Sequence, residues 1–248
     1  LRTMSTLSLN RRLGAMLALC RVSNLPTVWS NVLTAAVLSD LPGSTQNIAG
    51  ALLLCFALSC FYCGGMGLND LCDLEHDRLH QRYRPIPAGR ITLEHARAVT
   101  FALFALALFC LLATPHRAGL AAGIALLAVI WLYDRFHKGH PSTVLAMASA
   151  RLLVYVVTAL ALSGGVTALV WLAGAVQAAY VLVLTLVARH EGNTAARRYA
   201  WPVIPWMLAA IALLDGVVLA VLASPAWLIA GIAGTALTRA AQRYVRGD

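Results

Sequence analysis

The chain has 248 residues, 60% of them hydrophobic and 12% charged, with a formal net charge of +9 and a mean hydropathy of +0.76. A soluble domain needs a polar surface that this composition cannot supply, so the class is a polytopic membrane protein. The basic residues, all arginine except Lys138, lie between apolar stretches. This sets aside nucleic acid and assigns the charge to membrane topology and to anionic headgroups or an anionic substrate.

In chain order, residues 5–20 mix arginine with apolar residues and are expected to form an amphipathic lead-in. Eight spans are predicted to follow, at 22–39, 48–68, 93–113, 118–134, 143–163, 167–188, 201–222 and 226–242. Pro26 interrupts the first, and Pro202 and Pro205 fall in the first turns of the seventh. Residues 79–91 read as a polar loop, because Pro85, Pro87 and Gly89 break helix. Thr92 then offers an N-cap to the third span. Arg11, Arg12 and Arg21 precede the first span without a small-residue cleavage site, so no cleavable signal peptide is expected. All six cysteines lie in or beside apolar segments, and Cys60-x-x-Cys63, inside a span, reads as packing. No linker or internal repeat divides the chain. The expectation is one all-α transmembrane domain over 1–248.

The positive charges orient this bundle. With the N-terminus inside, 17 of the 19 basic residues lie on the cytoplasmic side, leaving Arg117 outside and Arg151 within the fifth span. Both termini are then cytoplasmic. The expected location is a bacterial inner membrane.

Acidic residues are scarce, 10 in all, yet four fall within Asn69–Asp77, at the inner end of the second span. If helix continues through this stretch, Asn69, Asp73 and Asp77 drift only about 80° over two steps while climbing about 12 Å, forming one wall. Asp70 lies near enough to share the edge, Glu75 points away, and His80 returns to the Asn69 face if the helix reaches it. Stacked carboxylates repel unless a cation sits among them. Oxygen ligands without a His/Cys set suit a hard ion such as Mg²⁺, completed by phosphate oxygens, and the neighbouring arginines could grip the same phosphates. A polyanion site facing an apolar bundle implies a substrate with a diphosphate head and a hydrocarbon tail. The alternative is a solvated helix end whose acids balance local arginines, although acids at a helix C-terminus oppose the macrodipole.

Asn69, Asp70, Asp73 and Asp77 match every fixed position of N-D-x-x-D-x-x-x-D, and the chain here resembles the UbiA superfamily of intramembrane prenyltransferases. Tyr83-Arg84-Pro85-Ile86-Pro87-Ala88-Gly89-Arg90 is similar to that family's N-R-P-L-P-S-G-R segment with three substitutions. Arg21-x-x-Asn24 before the first span, and Tyr133 with Lys138 after the fourth, are weaker matches. The resemblance implies a helical bundle around a central, lipid-accessible cavity and Mg²⁺-dependent ionisation of a polyprenyl diphosphate, with capture of the allylic cation by a lipophilic, commonly aromatic, acceptor. It further implies Asn69, Asp73 and Asp77 as Mg²⁺ ligands supported by Asp70, with Arg21, Arg84 and Lys138 neutralising the leaving group. Asn24, Arg90 and Tyr133 are carried over as substrate-binding positions. Two departures stand out. The family commonly has nine spans. Its second aspartate motif is here Arg189-His190-Glu191-Gly192-Asn193, so Glu191 would hold a second ion alone, or Arg189 or His190 would take over charge neutralisation, or prenyl transfer has been lost.

Among polar residues inside spans, Arg151 is expected at the site, contacting diphosphate or fixing an acid. Asp215, nearer the outer side, is expected to pair with Arg117 or line the tail cavity. Gln177, Tyr180 and Tyr155 are expected to be interhelical hydrogen bonders. The functional expectation is a prenyltransferase. A terpene cyclase acting on the same diphosphate and a non-catalytic prenyl-lipid-binding protein are the alternatives. Oligomeric state is left open.

Overall fold

The computed structural model describes residues 12–39, 45–136, 142–193 and 202–245, apart from the side chains of 45–47 and 191–193. Among these residues the fold is helical, with no strand. A helix over 12–19 (α1) leads into a 3-10 turn at Val22–Asn24 and then α2 (Leu25–Leu38), α3 (Thr45–Cys72), α4 (Leu74–His80), α5 (Leu93–Leu112) and α6 (Ala118–Phe136). These are followed by α7 (Thr143–Ser163), α8 (Ala168–Asn193), α9 (Val203–Leu222), a 3-10 turn at Pro225–Trp227 and α10 (Leu228–Gln242).

Among the described residues, six helices are long and apolar enough to cross a membrane: Ile48–Cys72, Leu93–Leu112, Ala118–Phe136, Thr143–Ser163, Ala168–His190 and Val203–Leu222. The expectation of eight spans is corrected at the first and the last of them. The first span opens as a 3-10 turn with Pro26 at the head of a 14-residue helix, and the last is a 15-residue helix behind a second 3-10 turn. At 1.5 Å per residue these are only about 21–23 Å long, short of a hydrocarbon core of about 30 Å. α2 also carries the buried polar residues Thr27, Asn31 and Thr34. Burial inside the bundle makes such a helix tolerable. Short α2 touches α3, α7, α8, α9 and α10, so its polar groups meet protein instead of lipid.

Elsewhere the local signals act as expected. Thr92 Oγ1 accepts the His95 N–H at the head of α5. α7 ends on Gly164 in the left-handed region (φ 74°), whose N–H returns to the Leu160 carbonyl. Val28, Leu58, Phe61, Phe104, Leu111 and Leu126 belong to the main core. Helices in lipid associate through close packing. A Cβ on Gly216 would stand 2.6 Å from the Gly231 Cα, which brings the α9 and α10 backbones together.

One end of the bundle collects the polar termini. Asn69 near the end of α3 donates to Asp134 in α6 at 3.1 Å. Arg189 in α8 donates to Thr143 at the start of α7 at 2.7 Å, and Gln242 in α10 donates to Asn24 before α2 at 3.1 Å. The Arg239 guanidinium lies 4.4 Å from the Trp206 ring centroid. The acidic stretch and the basic helix ends therefore share one face of the protein.

Candidate active site

The 28 residues of α3 would extend about 42 Å, longer than a hydrocarbon core of about 30 Å, and the acidic stretch begins in its last turn. Asp73 ends this helix with φ −90° and ψ 0°, and α4 begins at once. The bend does not break the stack. Asp73 N–H bonds the Asn69 carbonyl and Asp77 N–H bonds the Asp73 carbonyl, both at 2.9 Å. Asp70, Asp73 and Asp77 are 2%, 7% and 1% exposed, whereas Glu75 faces solvent. His80 does not return to the wall. It is exposed, bonds the His76 carbonyl and stacks on that ring.

Three buried carboxylates need positive charge, and two arginines provide it. Arg84 Nη1 lies 2.7 Å from Asp77, 3.2 Å from Asp70 and 4.0 Å from Asp73. Arg21 Nη2 lies 3.3 Å from Asp70. Arg21 has φ 44° and ψ 46°. It is the one non-glycine residue with positive φ among the described residues. A left-handed arginine is disfavoured, and here that conformation aims its side chain at the acids and at Met66 Sδ.

Beside the carboxylates opens a cavity of about 840 Å³, including its mouth, bounded by α2, α3, α6 and α7. Arg21, Asn69, Tyr133, Asp134 and Arg151 give it polar groups, while Leu58, Phe61, Leu126 and Val154 line it with hydrocarbon. Asn69 and Leu58 are separated by about 17 Å along α3, so the space runs from the acidic end deep into the bundle.

The expected site residues divide accordingly. Asn69, Asp70, Asp73, Asp77, Arg21 and Arg84 come together, and Tyr133 and Arg151 face the same cavity. Arg90 does not join them, since it is exposed and donates to the Tyr83 carbonyl. Asn24 is buried behind the cavity wall, donating to Tyr62 Oη at 3.1 Å and accepting from Gln242. Arg189 bonds Thr143 at the same end. Glu191 lies on the last turn of α8, its side chain outside the described residues, as is all of Lys138.

Sequence reading overlooked Asp134, 5% exposed, which holds the Asn69 amide. Its signal was an acid directly after Tyr133 at the end of an apolar span. Asp215 does not pair with Arg117, which instead reaches the Leu112 carbonyl. It accepts from Ser30, Asn31 and Tyr155. Tyr180 bonds the Met207 carbonyl at 2.8 Å as an interhelical contact. Gln177 is 1% exposed, and neither of its amide atoms finds a hydrogen-bond partner among the described residues.

Asn69, Asp73 and Asp77 offer the hard oxygens that Mg²⁺ prefers. Asp77 Oδ1 is buried and accepts no hydrogen bond among the described residues, leaving a lone pair for an ion. No ready-made cluster of three His, Cys, Asp or Glu ligands occurs among the described residues, and Arg84 lies among the carboxylates. The donor chemistry fits the ion, with an arginine serving as counter-charge in this arrangement.

Comparison with known proteins agrees with this architecture. A digeranylgeranylglyceryl phosphate synthase of Ignicoccus hospitalis is 37% identical over 123 residues, 49% of this chain and 38% of that protein. One of Saccharolobus solfataricus is 38% identical over 58 residues, 23% of this chain and 21% of that protein. The matched stretches thus span well under half of those relatives. A UbiA homologue from Archaeoglobus fulgidus, solved with GPP and Mg²⁺, superposes with a TM-score of 0.62 at 20% identity, covering 90% of this chain and 86% of that one. A structure from work on digeranylgeranylglyceryl phosphate synthase in membranes gives 0.61 at 16%, covering 94% and 95%. Residues 23–248 match the UbiA prenyltransferase family, and this integral membrane protein belongs to it.

Proposed function

We propose that the chain is a Mg²⁺-dependent intramembrane prenyltransferase, which ionises a polyprenyl diphosphate and passes the prenyl group to a lipophilic acceptor. One observation carries this reading: a wall of buried carboxylates, matched by Arg21 and Arg84, opens at the end of a long apolar cavity. Asn69, Asp73 and Asp77 would hold the ion, with Asp134 orienting Asn69 through its amide. An ion held by these residues would supply charge neutralisation for a departing diphosphate. Arg21 and Arg84 would exchange carboxylate partners for diphosphate oxygens, and Lys138 would add to them. Leu58, Phe61, Leu126 and Val154 would hold the hydrocarbon tail and keep water from the allylic cation. Glu191 and Arg189 would complete the polar rim.

The acceptor is the part of this reading that the relatives refine. The sequence suggested an aromatic compound, whereas the relatives' name denotes a prenylated glyceryl phosphate. We favour the latter class, because Arg151 in the cavity lining could pair with the phosphate of such an acceptor. The distribution of basic residues supports putting the acidic wall on the cytoplasmic side of the cell membrane. A bacterial inner membrane remains the proposed compartment, although the relatives named above are archaeal. Mass spectrometry of products from a panel of prenyl diphosphates, with Mg²⁺ and with aromatic or prenylglyceryl phosphate acceptors, tests the proposal. Acceptor-dependent products that vanish in Asp77→Asn support it. A cyclic product formed without acceptor would move the reaction to cyclisation, and tight binding without turnover would make the chain a carrier.

A further inference from the structure

Arg151 is a guanidinium on a membrane helix facing the cavity. Such a group needs a partner that fixes both its charge and its direction. Arg151 Nη1 donates to Asn31 Oδ1 at 2.8 Å, and from there a hydrogen-bond chain runs away from the cavity. Asn31 Nδ2 donates to Asp215 at 2.7 Å and to Tyr155 Oη at 3.0 Å. Tyr155 Oη donates to Asp215 Oδ1, and Ser30 Oγ donates to Asp215 Oδ2 at 2.6 Å. Asn31 and Tyr155 are fully buried and Asp215 is 3% exposed. Three helices, α2, α7 and α9, meet at this point.

We infer that Asp215 is a positioning residue, which sets the amide of Asn31 and thereby holds Arg151 at the cavity wall to meet the anionic substrate. An asparagine side chain has two faces, one accepting and one donating. Turned round, Asn31 would present its NH₂ to Arg151, donor against donor. An ionised carboxylate only accepts, so Asp215 draws the NH₂ to itself and leaves Oδ1 for Arg151. It also places a negative charge two hydrogen bonds from the guanidinium, which a neutral residue of the same shape would not. The part of this inference that concerns substrate rests on the proposed function; the part that concerns Arg151 does not.

The test reads Arg151 directly. Phenylglyoxal modification of the full chain in detergent is followed by peptide mass spectrometry, with exposed Arg117 as the internal reference. Asp215→Asn should raise the Arg151 modification rate on the order of tenfold over Arg117, the factor for losing about one charge-assisted hydrogen bond. The exchange Asn31→Asp with Asp215→Asn returns an acceptor to Arg151 and should restore slow modification. If Asp215→Asn alone does not fold, the exchange is the deciding variant, and a folded exchange with fast Arg151 modification overturns the inference. Unchanged Arg151 reactivity in a folded Asp215→Asn also overturns it. In turnover assays with geranyl diphosphate, the KM of Asp215→Asn should rise by a larger factor than kcat falls. Absence of turnover in the wild type, with Arg151 freed in Asp215→Asn, counts against the proposed reaction and leaves the positioning supported.

Discussion

Arg84→Ala is the most informative single perturbation of the acidic wall. Arg84 Nη1 lies 2.7 Å from Asp77, 3.2 Å from Asp70 and 4.0 Å from Asp73. Arg21 reaches Asp70 at 3.3 Å, but no ion pair joins it to Asp77. Asp77 is 1% exposed, so the variant leaves a carboxylate buried without its counter-charge. Breaking a buried pair in this way costs about 3–5 kcal/mol. For a domain of this size each kcal/mol lowers Tm by about 2–4 °C, giving a fall of about 6–20 °C. If the wall is a cation site, Mg²⁺ should replace the lost charge and recover much of that fall, whereas wild type should gain less. Thermal unfolding in detergent, with Mg²⁺ against NaCl of equal ionic strength, measures both effects. A variant that melts with wild type, or one that NaCl rescues as well as Mg²⁺ does, would refute the reasoning.

Asp134→Ala should weaken the Mg²⁺ dependence of diphosphate release by about tenfold, since one buried hydrogen bond to the Asn69 amide is worth about 1–3 kcal/mol when its partner is deleted; a Mg²⁺ titration of the rate checks this. Val154→Phe, which fills the apolar part of the cavity, should shift the preferred prenyl diphosphate to shorter chains, read from competition between C10, C15 and C20 substrates. Gly216→Ala should lower Tm by about 2–12 °C, because its Cβ would meet the Gly231 backbone and overpacking costs about 1–3 kcal/mol. Gly14→Ala, with nothing within 4 Å of the new Cβ, should not destabilise the protein and serves as the control.

Much of the site was legible because its signals are local. Asn69, Asp73 and Asp77 share a face through helical spacing alone, and the i to i−4 bonds that maintain it survive the bend at Asp73. Thr92 declares the head of α5 through capping chemistry that needs no tertiary contact. Arg90 looked equivalent to Arg84, yet a few residues of loop geometry send one to the carboxylates and the other to the Tyr83 carbonyl. Asp134 and Asn69 lie 65 positions apart, and nothing in either segment alone announces their pairing.

Composition, hydropathy and charge placement determined by themselves a helical membrane protein with one acidic wall, since these depend on which solvent each segment can tolerate. The tertiary structure alone decided that Arg84 neutralises that wall, that α2 stays short yet buried, and that Asp215 is joined to Asn31 and Tyr155 instead of Arg117. The reason is physical: a buried charge takes whichever partner the packing of distant helices brings within about 3 Å, and chain order does not encode that distance.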